Sequence, residues 1–390
     1  GVAAYCRQAL EQAGCTVSVD GTAVDTGSDT GNLIAVLPGR KRNNGEQYGA
    51  NEGREQSPGR LYFSAHMDTV TPGEGIEPII TDGIITSAGP TVLGGDDKCG
   101  IAAILELVRT LAEGDMPHPE IGVLLSVGEE IGLRGARAMD GSVFRGEHCL
   151  VLDASGKPGV VVIGAPCHYL FTATFFGRAA HAGMEPEKGL SAIELASKAV
   201  CAMQLGRLDA YTTANVGTIS GGSAFNVVPE TCVVRGEFRA MDERRASEVK
   251  AQLTAAIEGV VEGARGSGAA AGGTGGAGAE GSHGTSGAGS GGAGSVAVDW
   301  EEAYPGFEAS EDSPLVLLVL DEARALGMDA RTVVSGGGSD ANVFAGKGLR
   351  PLVLGTGMTD VHGHNESLAI EDLEGLARLC IAVACAYALD

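Results

Sequence analysis

Ile121-Gly122-Val123-Leu124-Leu125-Ser126-Val127-Gly128-Glu129-Glu130 is a short apolar run that stops at a glycine and two carboxylates. Short and apolar, it reads as a strand whose end presents the two carboxylates. The pattern returns in Leu61 to Ala65 ahead of His66 and in Leu150 to Leu152 ahead of Asp153. Asp96 follows the tight-turn pair Gly94-Gly95 and opens a helix marked by Ile101, Ala102, Leu105 and Val108, while His362 lies beyond the apolar run Pro351 to Leu354. Open α/β sheets carry their chemistry outside the carboxyl ends of the strands, so side chains far apart in sequence converge there. Two imidazoles (His66, His362) and three carboxylates (Asp96, Glu130, Asp153) gathered at such an edge suggest a two-metal hydrolase.

Outward from this core, Val2, Tyr5, Cys6 and Leu10 keep helical spacing up to Gly14, and Thr16 to Val19 and Asn32 to Leu37 read as strands. Gly39 to Arg60 is polar and without period, a solvated loop. The alternation of strands and helices predicts an α/β domain with a doubly wound, mostly parallel sheet. After Pro166 the order changes to strand (Leu170 to Phe176), helix (Ser191 to Met203), strands (Asn215 to Ser220, Thr231 to Arg239), helix (Glu243 to Val261) and strand (Val296 to Trp300). That βαββαβ order is ferredoxin-like and predicts an inserted domain, residues 167–307. A helix from Pro314, the strand Pro351 to Leu354 and a closing helix from Asp372, with Leu373, Leu376, Cys380 and Val383 on its apolar face, return to the first domain. The first domain is thus discontinuous, residues 1–166 and 308–390. Within the insertion, Gly263 to Ser295 is almost wholly Gly, Ala, Ser and Thr, too poor in apolar surface to offset its ordering entropy, and is expected to be a disordered loop. Its glycines do not recur every third residue, so it is not collagen-like.

With 390 residues the chain has room for two domains and a well-buried core. A formal charge of -23, from 50 acidic and 27 basic residues, opposes binding to nucleic acid or anionic membranes. The 9 cysteines are odd in number, scattered and mostly within apolar segments, as expected of reduced core thiols in the cytoplasm. No apolar run approaches the roughly 18 residues of a membrane span. The chain opens at Gly1 already inside a helical pattern, which leaves a leader ahead of it open.

Each motif has an ordinary reading beside the chemical one. His66 and Asp68 share a face if the strand continues, so Asp68 can take the second ring N–H of a metal-bound imidazole, or the pair is a plain hydrogen bond at a strand end. Asp96 and Asp97 suit helix capping, although capping explains only one of them. Glu129 and Glu130 point different ways, so one can bind metal and the other serve as general base; a solvated acidic turn is the alternative. Asp153 suits a turn, and His362 has a competitor in His364.

Taken together and in order, these segments resemble the M20 family of zinc peptidases and amidohydrolases, most closely its peptidase T-like branch. The resemblance runs through Thr30-Gly31-Asn32-Leu33-Ile34, His66-Met67-Asp68-Thr69-Val70, Gly95-Asp96-Asp97-Lys98, Gly128-Glu129-Glu130-Ile131-Gly132, Leu152-Asp153 and the His362 to Glu366 loop. In the insertion, Ala180-His181-Ala182-Gly183, Gly221-Gly222, Asn226, Pro229 and Arg239 resemble the family's lid and dimerisation domain. It implies two Zn2+ ions, with Co2+ or Mn2+ able to replace them, Asp96 bridging, His66 and Asp153 completing one site and Glu130 and His362 the other. Asp68 would orient His66, Glu129 would be the acid/base, and His181 would reach the scissile carbonyl from a neighbouring subunit of a homodimer. Asn226, Arg239 and a glycine-rich loop of Gly337, Gly338, Ser339 and Asp340 would lie near substrate. Three features depart from the family: a first helix truncated at Gly1, Cys99 in place of a small residue, and the Gly263 to Ser295 insertion.

The activity so implied is hydrolysis of a peptide bond near the free N-terminus of a short peptide. A carboxypeptidase or N-acyl-amino-acid amidohydrolase could use the same centre, and a non-catalytic peptide-binding protein could keep the same fold. All five ligand positions and Glu129 are present, which favours an enzyme.

Overall fold

The computed structural model describes residues 1–41, 59–268 and 292–388. Most of the polar stretch Gly39 to Arg60 and the middle of the Gly/Ala/Ser stretch lie outside these residues. The chain divides into two compact units, Gly1–Ala165 with Pro305–Asp390, and Pro166–Tyr304.

The first part of unit one runs α1 (Val2–Gln12), β1 (Thr16–Val19), α2 (Ala23–Thr26), β2 (Leu33–Leu37), β3 (Leu61–His66), β4 (Pro78–Thr81), β5 (Ile84–Ser87), α3 (Gly95–Glu113), β6 (Ile121–Ser126), α4 (Arg134–Ala138), β7 (His148–Ala154) and β8 (Val160–Ala165). Unit two holds β9 (Cys167–Phe176), α5 (Ala192–Ala202), β10 (Gly206–Arg207), β11 (Thr213–Gly221), β12 (Thr231–Ala240), α6 (Glu243–Gly268) and β13 (Ser295–Tyr304). Unit one resumes with β14 (Phe307–Glu308), α7 (Pro314–Ala325), β15 (Arg331–Val334), α8 (Asp340–Gly346), β16 (Arg350–Gly355), β17 (Met358–Thr359), β18 (Ser367–Ala369) and α9 (Ile370–Tyr387).

The large sheet of unit one has the order β1-β2-β6-β3-β7-β16-β8-β14, with β15 also on β8. Its centre is parallel: β3 pairs with β6 and β7, and β16 with β7. Antiparallel pairs β1/β2, β2/β6, β16/β8 and β14/β8 finish the flanks. Every residue of β3, β6 and β8 is buried, as unalternating apolar runs require. Leu61, Phe63 and Ala65 face a core with Leu10 of α1, Ile104 and Leu107 of α3, Val319 of α7 and Leu379 of α9. Tyr62, pointing to the opposite face, begins a row of edge-to-face aromatic contacts with Phe144 and Phe344 of α8. Helices thus cover both faces, the doubly wound arrangement.

Unit two is a five-stranded antiparallel sheet, β10-β11-β12-β9-β13, whose last four strands have the ferredoxin-like order. Its own core joins Phe171, Phe175, Val234 and Phe238 to Ala196 and Ala199 of α5 and Leu253 and Ile257 of α6.

Several details differ from the sequence expectation. Ala102 is exposed, so the buried stripe of α3 passes through Ile101, Ile104, Leu107, Val108 and Leu111 instead. Helix α6 continues to Gly268 and β13 begins at Ser295, inside the stretch expected to be disordered, because a formed helix adds one hydrogen bond per residue ordered. Leu373 is only partly buried and packs in a small separate cluster with Cys99, Met358 and Leu368. That cluster lies by a second sheet, β17-β18-β5-β4, which the sequence reading did not include. Its hairpin turn, Asp82-Gly83, has both residues at positive φ, the two-residue signal expected between apolar pairs.

Candidate metal centre

Parallel pairing puts the carboxyl ends of β6, β3 and β7 side by side. His66 ends β3 opposite Ser126, the last residue of β6, and Ser64 pairs with Val151, which carries Asp153 level with His66 on β7. The turn after β6 then supplies Glu129 and Glu130.

Asp96 and Asp97 sit at the start of α3 with different backbones and different duties. Both have non-helical φ/ψ, the peptide between them is cis, and Gly94 ahead of them takes φ +69°, a left-handed conformation that favours glycine. Asp97 is the cap: its Oδ1 accepts the Gly100 N–H at 3.1 Å, and its Oδ2 accepts the backbone N–H of His66 at 3.1 Å. Asp96 is free to turn outward. Its Oδ1 lies 2.9 Å from His66 Nε2 and its Oδ2 3.1 Å from His362 Nε2. His362 Nε2 also lies 2.9 Å from Glu130 Oε1.

Three groups that could hold a metal ion follow: His66, Asp96 and Asp153; Asp96, Glu130 and His362; and His66, Glu129 and Glu130, with the donor atoms within each group no more than 4.8 Å apart. Asp96 belongs to the first two. His364, exposed in the same loop, is in none of them. His362 adopts φ +64°, an uncommon conformation for a non-glycine residue and one often stored at functional sites.

The surrounding hydrogen bonds fix these groups. Asp68 Oδ1 stands 3.5 Å from His66 Nδ1 and accepts Glu129 N–H at 3.1 Å, while its Oδ2 accepts Glu130 N–H at 3.2 Å. Lys98 Nζ donates to the Asp68 carbonyl at 2.6 Å. Glu366, buried in the β17–β18 loop, accepts Gly94 N–H at 2.8 Å and Asp96 N–H at 2.9 Å. Neither Glu366 nor Lys98 was assigned these contacts from sequence, because a backbone acceptor far along the chain leaves no local pattern.

Charge is crowded. Burial pushes the Glu129 carboxyl up to about 10, helped by the negative charges of Asp153 and Asp340. Burial likewise raises Asp153 well above the usual carboxylate range, with Asp97, Asp96 and Asp340 adding to it against His66. Glu130 rises through burial and the Asp96 charge. Burial works against ionised Asp96 too, but the His66 hydrogen bond and charge outweigh it and hold Asp96 low. Burial disfavours charging His66, yet Asp68 and Asp96 bring its pKa well above normal. Glu130 Oε1 is buried, and although His362 Nε2 stands 2.9 Å from it the geometry makes no hydrogen bond. Carboxylates pressed together this way are costly unless cationic charge joins them, so the donor set fits divalent metal ions. Cys99 beside them is buried, and burial with the Asp97 charge pushes its thiol well up, which favours the unreactive protonated form.

The remaining expected site residues divide between the units. Gly338 and Ser339 precede α8; Ser339 is buried and its Oγ accepts Ala341 N–H at 3.3 Å. Asp340 is buried with its Oδ2 on the Ser126 hydroxyl. In unit two, His181 is exposed, and its Nδ1 accepts Gly183 and Met184 N–H, each at 3.2 Å, which assigns the ring proton to Nε2. Asn226 lies on the adjoining loop, its carbonyl accepting Ala182 N–H at 2.9 Å. Arg239 on β12 has Nη2 3.6 Å from Glu237 Oε2.

The family model described as peptidase family M20/M25/M40 matches residues 62–385. "Uncharacterized protein YqjE" of Bacillus subtilis is 35% identical over 377 residues, which are 97% of this chain and 90% of that protein. The crystal structure of aminopeptidase PepT from Bacillus cereus superposes with a TM-score of 0.82 at 34% identity, covering 99% of this chain and 92% of its own. A tripeptidase from Staphylococcus aureus does so with a TM-score of 0.83 at 31% identity and the same coverages, 99% and 92%.

Proposed function

The chain belongs to peptidase family M20/M25/M40 and is a peptide hydrolase, and from that premise we propose that it is a two-metal aminopeptidase releasing the N-terminal residue of short peptides. The observation that carries the reading is the set of ligand groups that share Asp96 at the carboxyl edge of the sheet. We assign Asp96 as the bridging ligand, His66 and Asp153 to one metal, and Glu130 and His362 to the other. Imidazole and carboxylate donors without thiolate favour zinc, with cobalt or manganese able to occupy the same places. Cations held by these residues would supply Lewis acidity, to polarise the scissile carbonyl and lower the pKa of water.

The chain's own residues do the rest. Asp68 orients the His66 ring and, by accepting both glutamate N–H groups, sets where Glu129 and Glu130 point. Glu129, its carboxyl pushed up chiefly by burial, takes a proton from the attacking water and hands it to the leaving amine. His181, with its proton on Nε2, is a hydrogen-bond donor suited to a developing oxyanion, and we place it in the centre of a partner copy in a homodimer. Asn226, Arg239, Gly338 and Ser339 are assigned to substrate by resemblance; Ser339 has only its hydroxyl hydrogen free for that role. No helix among the described residues is long and apolar enough to cross a membrane. All nine cysteines are free thiols, which supports a reducing cytoplasmic setting.

A panel of tripeptides, N-blocked peptides and N-acyl amino acids, assayed with added zinc or cobalt, tests the substrate class. Free tripeptides should be cleaved and N-blocking should abolish turnover. Preferential cleavage of N-acyl amino acids would replace the aminopeptidase reading with an amidohydrolase one.

A further inference from the structure

The turn that carries Glu129 and Glu130 is closed on itself. Gly135 N–H donates to Val127 O at 2.8 Å, Arg134 N–H to Gly128 O at 2.9 Å and Leu133 N–H to Glu129 O at 2.8 Å. Asp68 holds the tip of this turn. Its mouth is held by Asn32, fully buried ahead of β2, which has no part in the mechanism above. Asn32 Oδ1 accepts Val127 N–H at 3.1 Å, and Asn32 Nδ2 donates to Gly135 O at 3.0 Å. Nδ2 also donates to Asp20 Oδ2 at 2.7 Å, and Asn32 N–H donates to Asp20 Oδ1 at 2.9 Å. One carboxamide therefore spans both ends of the turn, with its acceptor on one end and its donor on the other. Aspartate would lack the donor and an aliphatic side chain would lack both. The fit leaves no slack, since a Cβ at Gly135 would meet Val127 O at 2.1 Å and Asn32 Oδ1 at 2.5 Å.

We propose that Asn32 is a positioning residue for the metal centre, clamping the mouth of the Val127–Gly135 turn so that Glu130 reaches the metal and Glu129 the water. The proposal rests on the reading of Glu130 as a ligand and Glu129 as the base. Outer groups that fix metal ligands typically contribute about 10- to 100-fold in affinity or activity.

The test compares Asn32→Ala, Gly135→Ala and Thr22→Val in the full chain, by cobalt titration followed in visible absorption and by steady-state kinetics at saturating cobalt. Thr22 is the control: its hydroxyl donates to Asp20 Oδ1 at 2.6 Å and accepts Asn32 N–H at 3.2 Å, so removing it loosens the same buried network without touching the turn. Asn32→Ala and Gly135→Ala should weaken binding of one of two cobalt ions by about 10- to 100-fold and lower kcat with little change in KM. Thr22→Val should melt earlier yet bind cobalt and turn over as the unaltered protein does. Wild-type affinity and kcat in Asn32→Ala would overturn the proposal, as would equal loss in Thr22→Val. If Asn32→Ala does not fold, Gly135→Ala against Thr22→Val decides in the same way. Failure of the unaltered protein to take up any cobalt would instead remove the metal reading, and the clamp with it.

Discussion

Asp96 and Asp97 show how two identical neighbouring side chains come to differ. Aspartate is favoured both as a helix cap and as a ligand, so residue type alone leaves the pair undecided. Backbone direction decides: Asp97 bonds Gly100 and His66 N–H, which leaves Asp96 between the two imidazoles. Residue type alone leaves His362 and His364 equal and only the resemblance favours His362; the turn at φ +64° brings His362 to Glu130. Glu129 is legible as the first of two acids at a strand end, singled out as the base only by the resemblance, whereas Asn32 is legible only as part of a motif, because its partners lie in a turn far along the chain. The Glu129 role gives a direct expectation. Glu129→Gln should lower kcat by about 10^2- to 10^4-fold while metal content stays at the unaltered level. If sites are shared between copies, mixing it with an inactive His181→Ala variant should recover part of the activity; undiminished turnover in Glu129→Gln, or no recovery on mixing, would refute the respective assignment.

At the scale of elements, strands buried on both faces are the most readable, since β3, β6 and β7 need only a mostly apolar run followed by a polar residue. The small sheet was missed although Asp82-Gly83 signals its hairpin, because β4 is exposed throughout and shows no buried face to read. That sheet matters to the centre through the β17–β18 loop, which carries His362 and Glu366. Glu366 binds the start of α3 by two backbone N–H groups. Glu366→Ala would leave both donors buried without an acceptor, and each such orphan costs about 1–3 kcal/mol. Differential scanning calorimetry should therefore show a markedly lower melting temperature, accompanied by weaker metal uptake. Unchanged melting would mean that water or a neighbour replaces Glu366.

For the molecule as a whole, the crowded carboxylates link stability to pH and to metal. In the metal-free protein, Glu129 is held near 10 against an unfolded value near 4.5, chiefly by burial. A carboxyl raised on folding contributes stability that is fully present below its unfolded pKa and lost as pH rises toward the folded one. Asp153, Asp97 and Glu130 are raised as well and act in the same direction. Asp68 and Asp96, held low, act oppositely and only in acid below about pH 4. The melting temperature of metal-free protein should thus fall between about pH 5 and about pH 8, while bound metal, which prefers the deprotonated ligands, should stabilise increasingly over the same interval. A constant gap between the two forms across that range would contradict the linkage.

The bond from Glu366 to Asp96 also dictates when the enzyme can become active during synthesis. As the ribosome extrudes the chain, His66, Asp96 and Glu130 emerge early, but the acceptor that anchors Asp96 is translated only after the whole of unit two. Nascent polypeptides halted before the β17–β18 loop should therefore stay inert toward peptides.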